Sequence, residues 1–366
     1  MKHVPFLTTL FTIIVFSMLI SNLAFAELPP HMSGMCMFTF KSSVSAAESP
    51  QAARIYLQLI KNKGYPCVII KSHDGDNWGT KVNGKFVPAF SKHLVDAGHE
   101  LNMRVYSYFT ARLNHDSVIE ESVILAERTL NMGADGVVID DLALERTGVD
   151  PTKWRKVFPL LRAMTDRHKG TILASSTHPH QSANGRFPTL WGIAFEHSDF
   201  FLPQAYWMEF LAYKDGKAVK MTPQDALAYA QAQFDIVKTR FPNARNCKLI
   251  PIGRTYGKNV TAEQVKTFIQ TAMPFYKGAG LFVIEQEPPK GGWNAIKDAV
   301  TAFNKPGRTV KSISPYDQVN DPSETEIVDS SPTPKKPATE KMGGTKKIDQ
   351  PIRKQPDSSS RCGACP

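Results

Sequence analysis

The chain has 366 residues, 42% of them hydrophobic, and carries 44 Lys and Arg against 34 Asp and Glu for a formal charge of +10. That length exceeds a small disulfide-stapled module, and five cysteines are too few for one. The basic excess lies partly in the two termini, and the middle of the chain has no basic, aromatic-interleaved stripe, so nucleic-acid binding is not expected.

Residues 1–26 read as a secretory signal. Lys2 and His3 precede an apolar run from Phe6 to Ile20, and small residues stand at Ala24 and Ala26, where cleavage is expected. The apolar run is short for a bilayer span, and no later segment approaches one. The mature chain is therefore expected to be exported, periplasmic or secreted, with no integral membrane segment, and a monomer. Residues 306–366 are rich in Pro, Ser, Thr and Lys and have almost no aromatic side chains. Such a tail cannot bury enough apolar surface to offset its chain entropy and is expected to be disordered. It ends in Cys362-Gly363-Ala364-Cys365, a redox or metal spacing with no fold around it.

The stretch 27–305 alternates strand and helix patterns. Strands are predicted at Gly34 to Phe40, Tyr65 to Lys71, Met103 to Phe109, Gly136 to Asp140, Thr171 to Ser175, Asp199 to Ala205, Cys247 to Ile252 and Gly280 to Glu285. Helical periodicity follows at Pro50 to Lys63, Asp116 to Met132, Pro151 to His168, Pro223 to Phe241 and Ala262 to Phe275. Ser49-Pro50, Asp150-Pro151, Thr222-Pro223 and the Thr261/Gln264 capping box mark helix starts. Strand–helix units repeated eight times with short joins predict an α/β fold, a closed (β/α)8 TIM barrel. The alternative, an open doubly wound sheet binding a nucleotide, needs a Gly-rich turn after the first strand, and Phe40-Lys41-Ser42-Ser43 supplies none.

A barrel directs attention to the C-terminal ends of its strands. They carry Lys71, Asp74 and nearby Trp78 on the second, Tyr108 on the third, and Asp140-Asp141 on the fourth. Gln204, Tyr206 and Trp207 follow on the sixth, Arg254 on the seventh, and Glu285 and Glu287 on the eighth. Carboxylates among aromatic and amide side chains suit a sugar, whose rings stack on aromatic faces and whose hydroxyls take hydrogen bonds. Glycosidic cleavage needs two carboxyl groups flanking the bond. Side-chain alternation from Val138 turns Asp140, not Asp141, inward, with Glu285 or Glu287 across the mouth as its expected partner. Asp135, just before the fourth strand, reads as a turn or cap residue at the opposite face.

Three of these segments carry a resemblance. Lys71 through Trp78, Asp135 through Asp140, and Pro203 through Trp207 resemble strand-end motifs of secreted bacterial members of the TIM-barrel glycoside hydrolase superfamily, and more distantly of lysozyme-like muramidases and chitinase-like families. The resemblance covers most of Gly34 to Ala302 and implies a barrel and a carbohydrate ligand; the expected substrate is a cell-envelope or extracellular polysaccharide, and no cofactor is expected. It places a catalytic acid on Asp140 alone. The muramidase pattern sets its acids one residue apart, whereas Asp140 and Asp141 are adjacent; the chitinase-like pattern closes in Glu, whereas Leu142 follows Asp141.

Two other readings compete. A carbohydrate-binding barrel that has lost its acid pair accounts for those departures. A metal-dependent hydrolase would draw on His178 and His180, with His73 as the only other strand-end histidine. Cys36 and Cys67 fall on adjacent strands of an exported chain, so they are either a disulfide or two buried thiols; their strand-interior positions favour thiols.

Overall fold

The computed structural model describes residues 28–112, 116–140, 151–177, 189–207, 211–214, 217–256, 259–284 and 292–311. The expected signal segment, residues 312–366 of the expected tail with its Cys362 and Cys365, and Asp150 lie outside these. Among the described residues no helix is long and apolar enough to cross a membrane.

Among the described residues, the barrel alternates eight strands with eight helices. The strands are β1 (Gly34–Thr39), β2 (Cys67–Asp74), β3 (Arg104–Thr110), β4 (Gly136–Asp140), β5 (Ile172–Thr177), β6 (Phe200–Pro203), β7 in two segments (Lys248–Leu249 and Ile252–Arg254), and β8 (Gly278–Phe282). The helices are α1 (Pro50–Asn62), α2 (Lys92–Glu100), α3 (Asp116–Asn131), α4 (Pro151–Arg167), α5 (Thr189–His197), α6 (Pro223–Arg240), α7 (Ala262–Ala272) and α8 (Lys297–Phe303). Neighbouring strands pair in parallel in the order β6-β5-β4-β3-β2-β1-β8-β7.

The seventh strand closes the ring. Its first segment pairs with β6 (Lys248 with Phe200), its second with β8 (Ile252 with Gly280), and a bridge joins Gln204 to Ile252. The change of partner falls at Pro251, which has no N–H to give to a ladder. Ile250 N–H still donates to Phe201 O (2.8 Å), while Pro251 O accepts from Gly280 N–H (2.9 Å). The barrel expected from the strand–helix alternation is the fold observed.

The period of two in each strand separates two cores. Phe38, Ile69, Tyr106, Tyr108, Val138, Ala174, Leu202 and Ile252 fill the barrel interior. Their neighbours Met37, Ile70, Phe109, Ile139, Leu173, Phe201 and Leu281 pack outward against the helices. Helix starts follow the sequence signals: Ser49 accepts from Ala52 N–H, and Thr222 with Asp225 and Thr261 with Gln264 form capping boxes. Cys36 and Cys67 are register partners with Cα atoms 4.6 Å apart, and they form a disulfide. This corrects the preference for two free thiols. Parallel neighbours facing into the narrow interior of the barrel sit closer than strand-interior positions in general lead one to expect.

At the N-terminal face, Asp135 accepts from Val105 N–H (2.7 Å), Arg104 Nη1 (2.6 Å) and His99 Nε2 (3.0 Å). Met32 reaches the same end of the interior, its N–H donating to the Tyr106 hydroxyl (2.9 Å). The floor is thus tied down by Arg104 of β3, Asp135 just before β4, His99 of α2 and the Met32 N–H of the entering chain.

Candidate functional site

The last inward-facing residues of the strands form a polar layer above the apolar interior. Asp140 ends β4 on the same face as Val138. Ser176 faces it from β5, Gln204 extends β6, and Lys71 and Thr110 come from β2 and β3. Gln204 Nε2 donates to Asp140 Oδ1 (2.8 Å) and to Ser176 Oγ (3.2 Å). Lys71 Nζ donates to Thr110 Oγ1 (3.2 Å) and stands 3.6 Å from Asp74 Oδ2.

A small cavity of about 70 Å³ opens here, lined by Asp140, Ser176, Gln204, Ile252, Phe38, Phe282, Tyr206 and Tyr256. Its walls are aromatic and edge-packed. Tyr206 and Tyr256 meet nearly perpendicular, with ring centroids 6.1 Å apart, and Phe38 stands against Phe282 at 5.7 Å. Arg254 lies beside this wall, its guanidinium 4.2 Å from the Tyr256 ring centroid, its Nε donating to Tyr256 O (3.0 Å). Tyr108 packs edge-on to Phe38 below (5.6 Å).

The two described carboxyl groups of the mouth are in opposite electrostatic states. Burial pushes Asp140 up to about 7, against the Lys71 charge and the hydrogen bonds from Gln204 and Ser176; the Asp74 charge adds to the rise. Burial also acts to raise Asp74, but Arg112 and Lys71 outweigh it and hold that carboxyl below the usual range. Arg112 grips Asp74 with two bonds, Nε to Oδ1 (2.6 Å) and Nη2 to Oδ2 (3.2 Å). Asp140 is thus the proton-carrying acid near neutral pH, and Asp74 a fixed anion inside an ion pair.

Several predicted site residues stand elsewhere. Trp207 is fully buried in the outer core, packed against Phe268 of α7 at 5.7 Å. After Pro203 the chain leaves the extended path, with Ala205 N–H bonding Pro203 O and Tyr206 N–H bonding Gln204 O, so that Tyr206 alone keeps to the interior. Trp78 folds back on the antiparallel segment Asn77–Trp78, pairs with His73, and lies under the Arg128 guanidinium of α3 (4.3 Å). His73 is turned outward by a register shift between Lys71 and His73, stacks on Phe109 (4.4 Å), and is bonded to Ser122 O. Burial lowers its pKa to about 3, leaving it neutral.

Asp141, Glu285, Glu287, His178 and His180 lie outside the described residues. Among those described, no group of three His, Cys, Asp or Glu could hold a metal ion. Phe38 and Phe282 were not singled out from the sequence. The signal for both was present, because continuing the inward phase from Cys36 and Gly280 reaches them.

No family model matches this chain, and no curated protein matches it. Among solved structures it is similar to a GH18 chitinase from Pseudoalteromonas aurantia, at 13% identity over 74% of this chain and 98% of that one, with a TM-score of 0.48. It is also similar to an alfa-galactosidase from Saccharomyces cerevisiae (12%, 76% and 65%, TM-score 0.48). A third is the spore cortex-lytic enzyme SleL of Bacillus megaterium QM B1551 (10%, 74% and 75%, TM-score 0.45). At these values the likeness carries no argument about family or reaction, and the barrel rests on the strand pairing described above.

Proposed function

We propose that the protein is an exported glycoside hydrolase acting on a cell-envelope or extracellular polysaccharide, with Asp140 as the general acid. The observation that carries the reading is Asp140 itself. It is a buried carboxyl at the C-terminal mouth of the barrel, its pKa raised to about 7 by burial, in a cavity walled by Phe38, Tyr206, Tyr256 and Phe282. A general acid works best with a pKa near the working pH, and aromatic walls suit the apolar faces of a sugar ring. Its partner carboxyl is assigned to Glu285 or Glu287, with Asp141 as a support. Lys71, Asp74, Gln204, Tyr206 and Arg254 frame the subsite.

One observation favours a second reading. The nearest described carboxyl to act on Asp140 is Asp74, which Arg112 and Lys71 already hold as an ion pair, and that pairing weakens it as a nucleophile or base. A barrel in this state would bind a glycan without cleaving it. Reducing-sugar release from a panel of peptidoglycan and exopolysaccharides separates the two. Release by the wild type that is lost in Asp140→Asn supports the hydrolase. Retention of a polysaccharide by both proteins without release supports the binding barrel.

A further inference from the structure

The change of partner in β7 has a second consequence, at the opposite end of the barrel. Below Pro251 the first segment of β7 pairs only with β6, so Lys248–Ile250 and Gly278 do not share a ladder. The wedge is partly filled by the entering chain. The Gly34 N–H bonds Lys277 O, and Met32 O lies where a side chain at position 278 would have to go. What remains is a cavity of about 450 Å³, within the roughly 300–1,000 Å³ of small-molecule sites and several times the cavity at Asp140.

Its walls combine two chemistries. Phe200, Phe234, Phe275 and Tyr276 supply aromatic surface, and Lys238 of α6, Lys248 of β7 and Lys277 just before β8 supply positive charge. Among the described residues no Asp or Glu lines it. The neighbouring acids are engaged, Asp199 by Arg162 Nη1 and Leu173 N–H (both 2.9 Å) and Asp235 by Gln231 Nε2 (2.9 Å). Two of the ammonium groups lie over aromatic rings, Lys238 over Phe234 (5.1 Å) and Lys248 over Phe200 (5.8 Å). A position above both a ring face and its cation suits a ligand with a flat apolar body and an anionic group. Cys247 at the back is a buried thiol with its pKa raised, so the site is one for reversible binding and not for thiol chemistry.

We propose that this cavity at the barrel floor is a second binding site, for a small anion with an aromatic or similarly flat apolar body. It is separate from the mouth and does not depend on the hydrolase reading. The test uses the full-length protein and calorimetric titration with a naphthalene sulfonate, the matching neutral sulfonamide and a naphthylmethyl ammonium. The sulfonate is expected to bind one per chain, roughly tenfold more tightly than the sulfonamide if two exposed charge pairs contribute as such pairs usually do. Naphthoate and naphthyl phosphate arms then distinguish a carboxylate ligand from a phosphate one. Lys248→Gln should cut that preference to about threefold, the share of one such pair, and Val310→Trp, in the lining, should block all three probes, while Asp140→Asn should leave the affinities of the three probes as they are. Equal affinity for sulfonate, sulfonamide and ammonium, or sulfonate binding that survives both floor substitutions, would overturn the proposal.

Discussion

Two aspartates five positions apart mark the two ends of β4, and both are 6% exposed. Asp135, at the floor, receives a backbone N–H, a guanidinium and an imidazole; burial alone would raise its pKa, and these three partners hold it below the usual range. Asp140, at the mouth, receives the amide of Gln204 and the hydroxyl of Ser176 with Lys71 at longer range, and burial wins. Equal exposure therefore accompanies a structural anion at one end and a poised acid, set deeper among protein atoms, at the other. Depth and the number and charge of the partners decide together, because a partly compensated carboxyl in a low-dielectric interior keeps its proton.

The sharpest way to break this comparison is to neutralise each acid. Asp140→Asn should lower reducing-sugar release on order of 100- to 10,000-fold, the usual contribution of a positioned acid, while leaving the denaturation midpoint at neutral pH unchanged or higher. Asp135→Ala should do the reverse. It strands Arg104 and the Val105 N–H, and breaking such a buried pair costs about 3–5 kcal/mol, readable by urea denaturation. If Asp140→Asn proved the more destabilising of the two, the assignment of roles would be inverted.

Stability against pH distinguishes the same pair without relying on activity. Asp140 has its folded pKa raised, so between the ordinary aspartate range and about 7 the folded state binds more protons than the unfolded one. Its contribution should therefore decline as pH rises through that window, by about 1.4 kcal/mol per unit at most, and be flat above it. Asp135 has its folded pKa lowered, so its contribution is complete above the ordinary aspartate value and is lost only in acid, as pH falls through the folded pKa. Subtracting the urea-denaturation profile of Asp140→Asn from that of the wild type should isolate the first slope. A flat difference between pH 4 and 7 would mean that Asp140 is not desolvated.

The Cys36–Cys67 disulfide belongs to the floor half of this contrast, joining β1 to β2 within the interior. Replacing both cysteines by Ala should cost about 2–4 kcal/mol in denaturation under oxidising conditions and leave the Asp140 titration where it is. A shift in that titration would show that floor and mouth are mechanically coupled.

Much of this arrangement was legible in the residues. β-branched runs, Ser and Thr caps and Pro at the first helical turn located the strands and helices, and the period of two carried Asp140 inward from Val138. What failed did so where that period breaks. Pro251 divides a strand that the apolar run Cys247 to Ile252 presents as continuous. The turn after Pro203 sends Trp207 to α7 instead of the mouth, and the register shift at Lys71/His73 turns His73, with Trp78 against it, toward α3. The preference for thiols over the disulfide failed for a related reason, since register between strands is not written in either strand alone.

The finest prediction concerns Gln204, which stands where β6 hands over to β7 and also donates to Asp140. Replacing it by Leu removes a hydrogen bond that favours the ionised carboxylate while keeping the site dry. A hydrogen bond to a charged group contributes about 1.5–3 kcal/mol, so the Asp140 midpoint should move up by about one to two units. Carbon-13 NMR titration of aspartate-labelled protein reads this directly, without any substrate. Restoring an amide one carbon shorter, with Gln204→Asn, should leave the midpoint close to that of Gln204→Leu, because the shorter side chain falls short of the 2.8 Å contact. A midpoint that stayed in place in Gln204→Leu would mean that Lys71 and Ser176 set the acidity of the mouth between them, and that Gln204 serves only to seam the barrel.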